Sequence, residues 1–430
     1  MTGSSVHVAG GTVSGMAYGG HNAGTGNTLA IYPGQSAIHD FSGVQKLRFY
    51  LPNDARASYT PMLQLGVAAK DIRNLNIGVG FSGSAPVLHG NDVISLMKTL
   101  PGGTLLTDAD IANQIEGMQG VTMRYQFALQ KRGTDELVLT LIGAAMNDQT
   151  KSLVEPRCGA TDFINRGADL PAASGISSAA KEGGRAEDDE KRGYQLWAAM
   201  SQGTMRAETG SYVTTNGYNL SVGWAKEGRL RAAKTLFTPF VEYGRGTYHT
   251  YLDDGTHGNG KISYLGAGLM GRIERPDGCW AEAALHGGRV RSSYSGDVSV
   301  GTVSTYNSEN AYYAAHIGIG KTRLLRTGDT LNTYLRYFYS RQDGVSAQLN
   351  TGEIYDFDAV ASHRMRVGFT FLHREDTGKE IYAGLAYEYE FDGEGAASYQ
   401  GLATDSPALR GGSAMVELGY RFIPPDSRLS

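Results

Sequence analysis

Three stretches carry residue types that could do chemistry. Gly266-Ala-Gly-Leu-Met-Gly271 fits the G-x-G-x-x-G spacing that lets backbone amides approach a dinucleotide pyrophosphate. Such a site needs its glycines between a strand and a helix. Here they lie inside a strand-like alternation that no helical pattern follows. Small residues facing a crowded interior explain them better. Ala315-His-Ile-Gly-Ile-Gly-Lys-Thr322 approaches a phosphate-binding loop, but it opens on Ala315 instead of Gly and continues a strand. His286 and His316 could serve as bases or metal ligands. Both fall on the polar face of strand-like segments, where hydrogen bonding is the simpler role, and neither H-E-x-x-H nor G-x-S-x-G occurs. Cys158 and Cys279 are the two cysteines, at a separation that is neither a metal spacing nor a disulfide framework. Glu187-Asp-Asp-Glu190 reads as a solvated linker. No catalytic, cofactor or metal site is assigned, and the chain is not read as an enzyme.

The elements around these residues give them a different meaning. Ile381-Tyr-Ala-Gly-Leu-Ala-Tyr-Glu-Tyr-Glu-Phe391 alternates apolar or aromatic residues with small or charged ones. A period of two marks a strand, because successive side chains leave a pleated backbone on opposite faces. Ten such segments are expected from 194 onward: Tyr194–Met205, Tyr212–Ala225, Thr235–Tyr251, Ile262–Glu274, Cys279–Ser292, Ala311–Leu325, Thr330–Arg341, Ser362–Leu372, Ile381–Phe391 and Gly412–Phe422. Tight connections (226–229, 275–278, 326–329, 377–379) contrast with long polar ones (253–260, 293–310, 343–361, 392–410). That inequality is the pattern of an outer-membrane barrel.

The polar faces of these strands carry Glu242, Arg272, Glu274, Glu282, His286, His316, Arg336, Arg364, Arg366, Glu388, Glu390, Glu417 and Arg421. These are expected to face a lumen, where mixed charges pair with one another or hold a polar plug. On a lipid face a basic residue costs roughly 2–4 kcal/mol at the bilayer midplane. Period alone does not say which face is inside, and a soluble barrel would invert the arrangement. Aromatic strand ends, strands of about ten or more residues and unequal loops favour the membrane.

The remaining composition is compatible with this reading. Glycine is abundant at 59 of 430 residues, and 25 tyrosines outnumber 13 phenylalanines, which fits tight turns and interfacial aromatics. The formal net charge of −4, without a basic block, gives no footprint for nucleic acid. No apolar run is long enough for a transmembrane helix.

Residues 1–156 read as the end of a β-solenoid and its cap. Short strand-like pieces such as Asn27–Tyr32 and Lys46–Leu51 recur between Gly-rich turns. A β-sandwich is the alternative. Met62–Val67, Ile77–Phe81, Thr122–Leu129 and Glu136–Ile142 are further candidate strands, while Asn91–Leu100 and Asp108–Ile115 are expected as short helices or turns. Residues 157–192 form the boundary. A short helix capped by Thr161 or Asp162, with Ile176–Lys181 extending it, leads into the polar run 181–192.

Together these segments resemble the C-terminal region of type V secretion autotransporters. The likeness rests on Arg157–Asp169 for the linker helix and Gly193-Tyr-Gln-Leu-Trp197 for the first barrel strand. Asn216–Gly223, Phe240–Gly244, Tyr264–Gly271 and Tyr355–Arg364 resemble later strands and loops. The resemblance implies an all-β outer-membrane antiparallel barrel, here ten of an expected twelve strands, at residues 193–430. It implies a lumen helix within 157–192 and the end of a β-solenoid passenger at 1–156, displayed at the cell surface. It further implies export and display of that passenger, expected to be an adhesin, with an enzymatic passenger or a simple pore as alternatives. Outer-membrane lipid, the barrel assembly machinery and a host or surface ligand are the implied partners. Some members cut the linker between paired asparagines; Asn165 stands alone, so no such cleavage is expected. Family barrels end on an aromatic residue, whereas Ile423–Ser430 follow Phe422. The expectation is a fragment lacking its signal peptide and last two strands.

Overall fold

The computed structural model describes residues 3–20, 26–52, 60–82, 88, 91–107, 113–172, 194–299, 302–325, 328–374 and 379–422. The charged run 181–192, the segment 176–181, most of 108–115 and the tail from Ile423 lie outside them. The chain divides into two compact units, Met1–Asn147 and Asp148–Ser430.

The first unit is built from two parallel runs of short strands. Ser5–Val8, Thr28–Ile31, Lys46–Pro52 and Asn76–Ser82 pair in parallel as one run. Gly11–Tyr18, Ser36–Ser42, Leu63–Leu65 and Val93–Lys98 pair in parallel as a second. Leu29, Ile31, Leu47, Phe49, Leu63 and Leu65 are fully buried. The antiparallel strands Asn113–Gln119, Met123–Arg132 and Glu136–Met146 link the last rungs of both runs into one eleven-stranded sheet. They cover the apolar rung that a solenoid cannot leave open. Residues 91–100 depart from expectation. Val93–Lys98 is a strand, fixed between Leu63–Gln64 and Glu136–Thr140. Its run of buried residues from Ile94 to Met97 lacks a period of two because both faces are covered.

Buried Asn27 ties the rungs together. Its Oδ1 accepts from the Ser4 amide at 3.0 Å, and its Nδ2 donates to the Gly43 carbonyl at 2.9 Å.

Among the described residues the second unit is built on an antiparallel sheet of ten strands in sequential order. They are Gln195–Glu208, Tyr212–Leu230, Ala233–Tyr251, His257–Glu274, Cys279–Ser299, Thr302–Leu324, Thr330–Gln342, Val360–Arg374, Lys379–Glu390 and Gly411–Phe422. Each expected strand is present. Many are longer than the alternation foretold. Ser293–Asn310, expected as a loop, is mostly an extended hairpin, since Ser293 pairs with Asn307 and Asp297 with Val303. The long connections 343–359 and 391–410 build a second, four-stranded sheet.

The helix runs Lys151–Leu170, so it starts ahead of residue 157, and Thr161 and Asp162 are inside it. Thr150 flanks its start without a side-chain capping bond, and Pro156 lies within it. Nothing local marks this start, since Thr150 makes no side-chain capping bond and Pro156 interrupts the helical pattern. Burial of nearly every residue from Ser152 to Leu170 holds the helix instead.

Asn27→Ala is expected to leave the Ser4 amide and the Gly43 carbonyl unpaired, costing about 1–3 kcal/mol. Hydrogen exchange at Thr28–Ile31 should accelerate accordingly; unchanged protection would remove Asn27 from this role.

Candidate functional site

The two faces of the ten-strand sheet differ in kind. Leu265, Leu269, Leu285, Ile317, Val367, Val416 and Leu418 are apolar and exposed. The alternate positions carry buried polar groups: Glu242, Glu282, His286, His316, Arg336, Arg364, Arg366 and Glu390. This is the inverse of a soluble barrel.

Most of these inward groups are paired, while both ring nitrogens of His316 lack a hydrogen-bond partner among the described residues. Glu242 lies 2.7 Å from His286 Nδ1 and accepts from Tyr312 at 2.6 Å. Glu282 accepts from Arg336 at 2.7 Å and from Arg272 at 3.4 Å, and His316 Nε2 sits 3.9 Å away. Arg272 also lies over the Trp280 ring. Glu388 accepts from Arg366 Nε at 2.8 Å and from Arg364 at 3.3 Å. Glu390 accepts from Ser362 and from the His363 amide. Glu274 stands apart, 39% exposed and 3.3 Å from Arg272. Glu417, on the last strand, is exposed. The side chain of Arg421 lies outside the described residues.

The glycines of the rejected motif now have a cause. An added Cβ at Gly266 would meet the Tyr312 hydroxyl at 2.2 Å, and one at Gly268 would meet His286 Cβ at 2.4 Å. They clear space for large inward side chains of neighbouring strands.

The lumen is filled by the chain itself. Arg157, Thr161, Asn165 and Asp169 recur every fourth residue and so share one helix face. Arg157 donates to Asn310 Oδ1 at 3.1 Å and to the carbonyls of Asp343 at 2.5 Å and Asp358 at 3.0 Å. Thr161 Oγ1 lies 3.1 Å from the Gln342 amide. Asn165 donates to Ser362 Oγ at 3.0 Å, and its Oδ1 accepts from Ser340 at 2.6 Å. Asp169 accepts from both Arg364 and Arg366.

Other faces of the helix are held as closely. Tyr306 donates to the Leu153 carbonyl at 2.6 Å, and Glu155 accepts from Thr209 and Ser211. An added Cβ at Gly159 would meet Val213 at 2.8 Å, and one at Gly167 would meet the Tyr264 hydroxyl at 1.8 Å. Phe163 stacks edge-on against Tyr264, at 5.8 Å between centroids. Beyond the charged layers, Leu170 joins Trp197, Leu236, Phe240 and Met270 in an apolar cluster. Around the first half of the helix, the Cys158 thiol faces the carbonyls of Gly393 and Pro407 in the long connections.

Sequence reading listed the wall residues but missed Glu155, Arg157 and Asp169, and it gave Thr161 and Asn165 different meanings. The four-residue spacing from Arg157 to Asp169, opposite Gly159 and Gly167, was the available signal.

Strand order, apolar exterior and filled polar lumen define an outer-membrane-type antiparallel β-barrel with an internal helix. Three solved structures similar to this chain are autotransporter domains. The β-domain of the Bordetella autotransporter BrkA is 17% identical, with a TM-score of 0.41, over 53% of this chain and 98% of its own. The transport unit of AIDA-I from Escherichia coli is 13% identical, with a TM-score of 0.41, over 62% and 88%. The translocator domain of NalP from Neisseria meningitidis is 15% identical, with a TM-score of 0.43, over 63% and 99%. The chain's own geometry defines the barrel, and likeness at this level adds no weight to it. No family model and no curated protein matches the chain.

Asp169→Leu leaves two buried guanidinium groups sharing the single carboxylate of Glu388 and is expected to cost about 3 kcal/mol of helix docking. Amide exchange across residues 161–170 should rise sharply; unaltered exchange would show that the pair does not hold the helix.

Proposed function

We propose that this chain is an outer-membrane translocator and anchor that exports and displays the unit ahead of its helix. The observation that carries this is the helix Lys151–Leu170, bonded along its length to inward strand residues. A passive pore has no use for a lumen occupied by its own chain through a matched polar stripe. A translocator ends its work with its last exported segment in the lumen.

In this reading Leu265, Leu285, Ile317 and Val367 face outer-membrane lipid, and the barrel assembly machinery inserts the sheet. The first unit stands at the cell surface. We assign it as the stalk of an adhesin meeting a host or surface ligand. Aromatic rings stack between its rungs, as His7, Tyr32 and Tyr50 do with centroids 5.5 and 4.6 Å apart. Such a surface suits contact more than turnover.

An epitope inserted at the exposed Pro101–Gly102 turn should be detected by antibody on intact cells. Detection only after permeabilisation would sink the display reading. Leu285→Arg should lower barrel stability in lipid by roughly 2–4 kcal/mol if it lies near the midplane. Equal unfolding midpoints for variant and parent in vesicles would argue against a lipid-facing exterior.

A further inference from the structure

On the third and fourth strands the outward face changes character toward the end bearing the long connections. On the third strand exposed Val241 is followed, on the same face, by Arg245 and Thr247. On the fourth, exposed Leu269 and Leu265 give way to Lys261. This rim of the apolar belt also carries Arg206, Arg289, Arg291 and Arg341. Each of those has an acidic partner: Glu208 at 2.7 Å, Glu309 at 3.2 and 2.9 Å, and Asp343 at 3.5 Å. The side chains of Arg245 and Lys261 have none among the described residues.

Strand register brings these two cations together. Thr247 stands opposite Lys261, and Arg245 opposite Ser263. Diagonal neighbours of this kind sit about 7–8 Å apart at the backbone, within reach of one phosphate by two long side chains. Tyr218 lies opposite Arg245, Asn216 opposite Thr247, and Gln202 opposite Tyr218. The six side chains Gln202, Asn216, Tyr218, Arg245, Thr247 and Lys261 line a depression of about 270 Å³ on the outer wall.

We propose that this depression binds the phosphorylated sugar headgroup of an outer-leaflet glycolipid. The proposal rests on the membrane reading above. Guanidinium and ammonium groups without counterions, at the edge of an apolar belt, are complementary to an anionic headgroup whose acyl chains run along that belt. Four neutral amide and hydroxyl side chains around the cations match the many hydroxyls of a sugar, which a simple inorganic anion would leave unused. Neighbouring arginines neutralised by their own carboxylates do not compete.

Native mass spectrometry of the full chain in detergent micelles tests this. The probes are a bisphosphorylated lipid A, the same lipid stripped of phosphate, and inorganic phosphate. Heat-modifiable electrophoretic mobility reports folding of each variant. The parent should retain the phosphorylated lipid in preference to the stripped one. Arg245→Gln combined with Lys261→Gln should weaken that binding about tenfold or more. Lys234→Gln, an exposed cation near the opposite end of the third strand, should leave it unchanged. Inorganic phosphate at the same concentration should not compete. Equal retention of both lipids by the parent, undiminished binding by the folded double variant, or full competition by inorganic phosphate each overturns the site while leaving the membrane reading intact. A folded parent that takes up neither lipid likewise overturns the site.

Discussion

The second unit depends on the pairing of a charged interior. A sheet that turns Leu265, Leu285 and Val367 outward must turn its alternate residues inward, and those include Glu242, Glu282, Arg336, Arg364 and Arg366. Buried charge without partners is strongly destabilising. The wall supplies part of the compensation through pairs such as Glu282–Arg336 and Glu388–Arg366. Asp169 adds a second carboxylate against Arg364 and Arg366 from the helix. The helix is therefore part of the barrel's interior, and removing it would expose a polar stripe on both sides.

That requirement accounts for local sequence that otherwise looks anomalous. The helix contains Pro156, Gly159 and Gly167, all poor helix formers, and it lacks a side-chain cap. Its stability comes from the enclosure. The glycines admit Val213 and Tyr264 to the helix backbone, and the polar residues spaced by four meet strand side chains in sequence along the lumen. The same trade recurs in the wall. Gly266 and Gly268 resemble a nucleotide motif because a crowded lumen removes side chains opposite Tyr312 and His286.

The long connections belong to this interior as well. Asp343 and Asp358 give their carbonyls to Arg157, and Gly393 and Pro407 give theirs to Cys158. Backbone carbonyls carry no sequence signature, so these partners were invisible in a reading of residue types. In the first unit the two parallel runs were only faintly legible, because their spacing is irregular: Thr28 pairs with Lys46 and Lys46 with Asn76. Solenoid strands of uneven spacing leave no repeat to align.

By itself the sequence determined the ten strands and their polar faces, because a period of two is a local property of the chain. It also contained the helix stripe from Arg157 to Asp169. Only the tertiary structure decided which face is inside, since alternation is symmetric until something is enclosed. It likewise decided that Val93–Lys98 is a strand and that the helix begins at Lys151. In both cases partners far along the chain, the cap strands and the lumen wall, overrode weak local preference.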